Sequence, residues 1–221
     1  GTLITLRGLG FAPHSCIDVG AYHGTWAKLF NSIFPECGIL MIEAQSQKEE
    51  KLQDAVDFIG PQVTFETALL GSEDGKEVTF CEMETGSSVY EETSPYDRRH
   101  TNKRTVCLDT LLEDNPQFKD ADFLKIDTQG YELEILKGAP KLIEQVEAVL
   151  LETSLLPVNQ GCPEFVDVIR YMDQHQFKLF DIADETRRKD GVLWQTDLLF
   201  LNRESDMLPR PCLDEENWGS Y

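Results

Sequence analysis

The stretch Cys16-Ile17-Asp18-Val19-Gly20-Ala21-Tyr22-His23-Gly24 limits the fold more than any other part of the chain. Residues 16–20 form a short β-rich run that stops at a glycine. From 25 to 34 the apolar positions recur at helical spacing, with Trp26, Leu29, Phe30 and Ile33 on one face. A strand that feeds a helix through a glycine turn opens a parallel sheet and places a nucleotide-type ligand at the strand's C-terminal edge. The turn narrows that ligand further. A pyrophosphate needs bare glycine amides at G-x-G-x-x-G spacing, whereas the glycines here are Gly20 and Gly24. Asp18 adds a carboxylate at the strand's end, which repels phosphate and suits a cationic nucleoside without one. S-adenosylmethionine, with its ammonium, sulfonium and adenosine, is such a ligand.

The rest of the chain repeats the strand-then-helix pattern, the signature of a doubly wound α/β sheet. Strands are predicted at 38–43, 63–70, 77–82, 122–127 and 148–152, with a late antiparallel pair at 177–182 and 198–201. Helices are predicted at 3–9, 48–59, 132–147, bent at Gly138 and Pro140, and 164–174. A short extended piece at 105–108 leads into a small helix around Leu111. At 221 residues and 41% hydrophobic composition, the chain reads as one domain over 1–221 with a core of its own. Residues 1–14 lead in, 203–221 read as a polar tail, and 86–104 as a polar loop long enough to be a lid or substrate loop.

Charge and cysteine usage exclude several partners. Acidic residues outnumber basic ones 40 to 20, giving a net charge of −20. A field of that sign repels a nucleic-acid backbone. No apolar run approaches the length of a membrane span and no signal-peptide pattern opens the chain. Cys16, Cys37, Cys81, Cys107, Cys162 and Cys212 include no C-x-x-C pair. They read as reduced core thiols of a cytoplasmic protein rather than as a zinc site. The basic run Arg98-Arg99-His100-Thr101-Asn102-Lys103-Arg104 has two readings: a solvated loop, or a clamp for an anionic acceptor.

Two more signals carry chemistry. Glu43 ends the second strand, where an acid accepts hydrogen bonds from both ribose hydroxyls. Lys125 and Asp127 lie two apart on an otherwise apolar strand and so share a face, where a charge is costly unless it is paired or functional. That strand is expected beside the first, so that Asp18 and Asp127 flank one crevice, with Glu152 extending its acidic rim. A structural ion pair of Lys125 with Asp127 or Glu152 is the plainer alternative.

These residues resemble the FkbM-type methyltransferases. The likeness rests on Ile17-Asp18-Val19-Gly20-Ala21 with Gly24, on Ile42-Glu43-Ala44, Gly86-Ser87-Ser88 and Leu108-Asp109-Thr110-Leu111, and on Leu124-Lys125-Ile126-Asp127 with Gly130-Tyr131-Glu132. Leu136-Lys137-Gly138-Ala139, Leu151-Glu152 and Asp197-Leu198-Leu199-Phe200 complete it. The resemblance implies a mostly parallel Rossmann-like sheet with a reversed late strand, S-adenosylmethionine as methyl donor, and O-methylation of a hydroxyl on a sugar or small metabolite. The chain departs from the family at Gln129, where relatives usually carry an acid; an amide keeps hydrogen bonding but loses charge and basicity.

The candidate cofactor-binding set is Asp18, Gly20, Ala21, Tyr22, His23, Gly24, Glu43, Ala44, Ala68, Ser87 and Asp127. His23 either contacts the methionine part of the cofactor or caps the helix. Methyl transfer to an alcohol needs a base within hydrogen-bond reach. Asp127 and Glu152 are the first candidates, with Lys125 beside them and His100 if the loop closes. A divalent cation on the same acids has no spacing motif to support it. Tyr90, Tyr96 and Trp194 are candidates to shape the acceptor pocket. Two other functions compete. A nicotinamide-dependent oxidoreductase would need the missing G-x-G-x-x-G, and a catalytically degenerate binding module would explain Gln129.

Overall fold

The computed structural model describes residues 1–83, 86–90, 98–156 and 159–208. In chain order the elements are α1 (Thr2–Gly8), β1 (Ser15–Val19), α2 (Thr25–Ile33), β2 (Gly38–Glu43), α3 (Glu49–Ile59), β3 (Val63–Thr67), β4 (Leu69–Leu70), β5 (Glu77–Glu82) and β6 (Arg99–Val106). Then come α4 (Leu108–Asp114), β7 (Phe123–Ile126), α5 (Glu132–Lys137), α6 (Pro140–Ile143), β8 (Ala148–Ser154), α7 (Phe165–Gln174), β9 (Phe177–Arg187) and β10 (Leu193–Asn202).

Seven strands form the main sheet in the order β3-β2-β1-β7-β8-β10-β9. The first five in that order run parallel, while β10 is antiparallel to both β8 and β9. This is the doubly wound α/β sheet with a reversed late strand. The strand order turns at β1 and β7, and such a switch point opens a crevice beyond the strands' carboxyl ends.

The strands are apolar throughout because both faces are covered. Ile17, Val19, Leu124 and Ile126 face one cluster, shared with Leu108, Leu136 and Val168 of α4, α5 and α7. Cys16, Ile39, Met41 and Phe123 face the other, shared with Leu6, Phe30 and Leu52 of α1, α2 and α3. Helix α2 departs from its periodicity at one position: Trp26 and Phe30 pack towards Phe123, but Leu29 is 54% exposed.

Three local features differ from the sequence expectation, each for a physical reason. The strand expected at 63–70 is two, because Ala68 bonds to the Glu43 carbonyl and the chain then leaves the main sheet. The following β4 joins a second, three-stranded sheet of order β4-β6-β5. The helix expected at 132–147 breaks into α5 and α6, because Gly138 presses against the Gly71 carbonyl where a Cβ would sit 2.1 Å from that oxygen. Asp109 then accepts the N–H groups of Lys141 and Leu142 and caps α6. Finally, much of the basic stretch expected in a loop is strand β6, paired antiparallel along β5 from Glu77↔Arg104 to Glu82↔Arg99. Residues 91–97, including Tyr96, and the tail from 209, including Cys212, lie outside the described residues.

Candidate active site

A cavity of about 490 Å³ opens at the carboxyl ends of β1, β2, β7 and β8, with the β4 region and residues 86–89 on its far side. Its floor is the glycine turn. Gly20 has φ +76° and lies so close to β7 that a Cβ would sit 1.9 Å from the Asp127 carbonyl oxygen. Only glycine lets the two strands close there. Tyr22 takes φ +52°, and its N–H donates to Glu43 Oε2 at 2.8 Å. The Gln45 N–H donates to Oε1 of the same carboxylate at 2.9 Å. Two backbone donors therefore fix the Glu43 carboxylate at the lip of the cavity.

Gly20, Tyr22, Glu43, Ala44, Ala68, Ser87, Asp127 and Glu152 all line this cavity. Six other candidates do not. Asp18 is fully buried beneath the turn, with Oδ1 3.1 Å from Lys125 Nζ. Lys125 also reaches Asp127 at 3.5 Å and is itself buried. Burial works against its charge, but Asp18 and Asp127 on either side hold the ammonium protonated well above the ordinary lysine range. Lys125 is thus a structural cation under the floor, paired with Asp18 through Oδ1, while Asp18 Oδ2 is buried without a hydrogen-bond partner among the described residues. Gly24 begins α2 at φ +67°, and a Cβ there would meet Ala55 at 2.5 Å. It serves helix packing. Ala21 is buried away from the lining, and His23 stacks on Tyr22 with ring centroids 3.7 Å apart.

The basic stretch is also displaced. His100 is exposed on β6 opposite Cys81, and neither it nor Arg98, Arg99, Lys103 or Arg104 lines the cavity. Strand alternation explains the split. Thr101 and Lys103 turn inward to Glu82, and Lys103 bonds the Ala44 carbonyl, while His100, Asn102 and Arg104 turn out. No clamp for an anion is formed at this cavity by the described residues. Of the aromatic candidates, Trp194 lines the cavity and Tyr90 packs edge-on against Tyr131, which does.

Sequence reasoning singled out Gln129 only as a departure and missed how polar groups gather around Glu152. Gln129 takes φ +55°, donates through Nε2 to Glu152 Oε2 at 2.6 Å, and accepts at Oε1 from Gln195 Nε2 at 3.2 Å. Its backbone oxygen accepts from Ser88 Oγ at 2.9 Å and from the Asn159 amide. Asp197 faces Glu152 directly across the β8–β10 pair. Glu132 braces the turn after β7: its Oε1 accepts from the N–H groups of Thr128 and Gly130 at 2.9 and 3.0 Å. The spacing of Asp127 and Glu132, and the alternation of Gln195 and Asp197 on one strand, carried part of this signal. The convergence of the groups on Glu152 needed the fold.

The cluster is acidic with one cation, and that cation is committed to Asp18 and Asp127. Burial raises Glu152 well above the usual carboxylate range, helped by the charges of Asp127, Glu132 and Asp197. Burial likewise lifts Asp197 to about 6 and Glu132 to about 7. Among the described residues lining the cavity there is no lysine, arginine or histidine. A pyrophosphate would find no counter-charge. A phosphate-free adenosyl cofactor, cationic at its sulfonium and ammonium, fits this donor set, with Glu43 placed for two hydroxyls.

The sequence matches the model of the methyltransferase FkbM domain over residues 18–179. The chain belongs to that family. It is a methyltransferase by family. Its fold is similar to that of a precorrin-6y C5,15-methyltransferase from Geobacter metallireducens, at 13% identity and TM-score 0.52, covering 90% of this chain and 85% of that one. It is equally similar to an O-methyltransferase family protein from Burkholderia thailandensis, at 13% identity and TM-score 0.52, covering 91% of this chain and 54% of the other. A ribosomal-protein methylase from Lactobacillus delbrueckii subsp. bulgaricus aligns at 10% identity and TM-score 0.51, over 91% and 76% of the two chains. These likenesses establish the fold alone, and the acceptors named among them are too varied to choose one for this chain. No curated protein sequence matches the chain significantly.

Proposed function

We propose that this FkbM-family methyltransferase transfers a methyl group from S-adenosylmethionine to a hydroxyl of an uncharged small acceptor, such as a sugar, in the cytoplasm. The observation that carries the reading is Glu152, a carboxylate of raised proton affinity at the cavity's inner end, in a lining without basic side chains among the described residues. A phosphorylated or carboxylated acceptor would find no basic side chain among the described residues lining the cavity. This favours a neutral acceptor over an anionic one. A neutral hydroxyl finds a base in Glu152, and Trp194 offers a buried indole N–H without a partner among the described residues. The free cysteines, Cys16, Cys37, Cys81, Cys107 and Cys162, accord with a reducing compartment.

Residues divide the work by position. Glu43, Tyr22, Ala44 and Ala68 form the end suited to adenosine, and Gly20, Asp127 and Thr128 the end suited to the amino-acid part. Bound there, the cofactor supplies a methyl group already activated by its sulfonium, so the protein's main service is alignment. Glu152 would take the acceptor's hydroxyl proton as the acceptor oxygen receives the methyl group that the cofactor would supply. The test is a panel of neutral sugars and polyols assayed by S-adenosylhomocysteine release. Glu152→Gln should lower turnover about 10²–10⁴-fold while leaving the affinity for S-adenosylhomocysteine within a few-fold. Wild-type turnover in that variant would remove Glu152 as the base.

A further inference from the structure

Gln129 is the best-tied residue at the cavity. It holds a left-handed backbone conformation that glycine adopts freely and that other residues adopt at a cost of about 1–2 kcal/mol. Four partners from four parts of the chain hold it there. Ser88 and Asn159 bond its carbonyl, Gln195 on β10 donates to its side-chain oxygen, and its amide nitrogen donates to Glu152 at 2.6 Å. The same nitrogen lies 3.5 Å from Asp127 Oδ1. The backbone bonds explain the turn. The side-chain bonds are a separate fact, because the turn itself would be satisfied by a glycine. They form a chain: Gln195 Nε2 donates to Gln129 Oε1, and Gln129 Nε2 faces the Glu152 carboxylate.

We propose that Gln129 is a positioning residue for methyl transfer, holding Glu152 through one oxygen so that the other is presented to the acceptor hydroxyl. This rests on Glu152 being the base, as argued above. The amide does what an acid at the same place would not. A carboxylate 2.6 Å from Glu152 would either repel it or share a proton with it, and a shared proton would occupy the oxygen the acceptor needs.

The test uses the whole protein with carbon-13-labelled glutamate, following the Glu152 carboxyl through a pH titration, with S-adenosylhomocysteine calorimetry beside it. Gln129→Gly removes the side chain while suiting the backbone, so it should fold. Losing a charge-assisted donor should move the Glu152 midpoint up by about 1–2 pH units. Gln195→Leu should move it in the same direction by less, and Gln129→Glu should give two coupled steps. All three variants should still bind S-adenosylhomocysteine. An unmoved Glu152 midpoint in Gln129→Gly, or a Gln129→Glu protein in which the two acids titrate independently, would overturn the proposal. Failure of the wild type to bind S-adenosylhomocysteine would instead sink the methyltransferase reading of the cavity and leave the titration result standing.

Discussion

Lys125 decides what the charges around it are for. One buried ammonium lies between Asp18 and Asp127, with Nζ 3.1 and 3.5 Å from their carboxylates. An isolated ion of this kind is expensive to bury and persists only when paired. Asp18 therefore serves the fold through one carboxylate oxygen, a pairing that the strand-end position alone does not reveal. Its place in the sequence says that it points towards the turn; the register Asp18↔Lys125 says what it meets. Asp127 is two residues further along and emerges into the cavity, so the same cation serves the fold on one side and the site on the other. Asp18→Asn should cost about 3 kcal/mol of stability in urea unfolding, because it strands part of a buried charge. Cofactor affinity in the fraction that remains folded should be little changed. A variant as stable as the parent but unable to bind S-adenosylhomocysteine would return Asp18 to the cofactor.

At the scale of elements, the strand-and-glycine grammar was legible, and so was β5 of the accessory sheet, but most of β6 was not. Strands β1, β2, β7 and β8 were readable because burial on both faces makes them continuous apolar runs with turn residues at their ends. Strand β6 was hidden because it covers the body with one face only. Its inward residues Thr101, Lys103 and Thr105 are themselves polar, so the sequence shows no alternation of apolar and polar residues. Its partners are hydrogen bonds and ions, such as Glu82 for Lys103 and the Glu73 carbonyl for Thr105. The site divides the same way. Glu43 and Asp127 announce themselves as acids at strand ends, whereas Gln195 and Asn159 are neutral amides whose role comes only from what the fold sets beside them. Because β6 turns Arg104 and His100 outward, replacing Arg99, His100 and Arg104 together by neutral residues should leave acceptor KM and S-adenosylhomocysteine affinity within about twofold, since exposed charges interact weakly. A large rise in acceptor KM alone would restore the clamp.

The whole molecule carries its charge unevenly, and its pH response should show this. Glu132 is buried and is raised from 4.5 to about 7, and Asp197 from 3.8 to about 6, burial being the first cause for each. Between the unfolded and folded values the native state holds protons that the unfolded chain has released. Stability from these groups therefore rises as pH falls from about 7 towards 4.5 and is lost as pH rises through that window. The Glu132 contribution alone is of order 3 kcal/mol. Exposed Asp74 and part-exposed Glu134 have lowered values, through hydrogen bonds and nearby lysines, and their support fails only at lower pH. Thermal unfolding should give a higher Tm at pH 5.5 than at pH 8, and Glu132→Gln should flatten the difference. A Tm that falls steadily from pH 8 to 5.5 would contradict the assignment of these acids. That acidic interior also bears on the ligand, since the described residues lining a cavity floored by Gly20 and edged by Glu43 and Glu152 include no basic side chain for a pyrophosphate. Calorimetric titration of S-adenosylhomocysteine into the wild type and Glu43→Ala tests this most directly. The account predicts one site per chain in the wild type and affinity weakened roughly 10–100-fold in the variant. Equal affinity in the two proteins, or heat released only by a dinucleotide such as NADH, would contradict it.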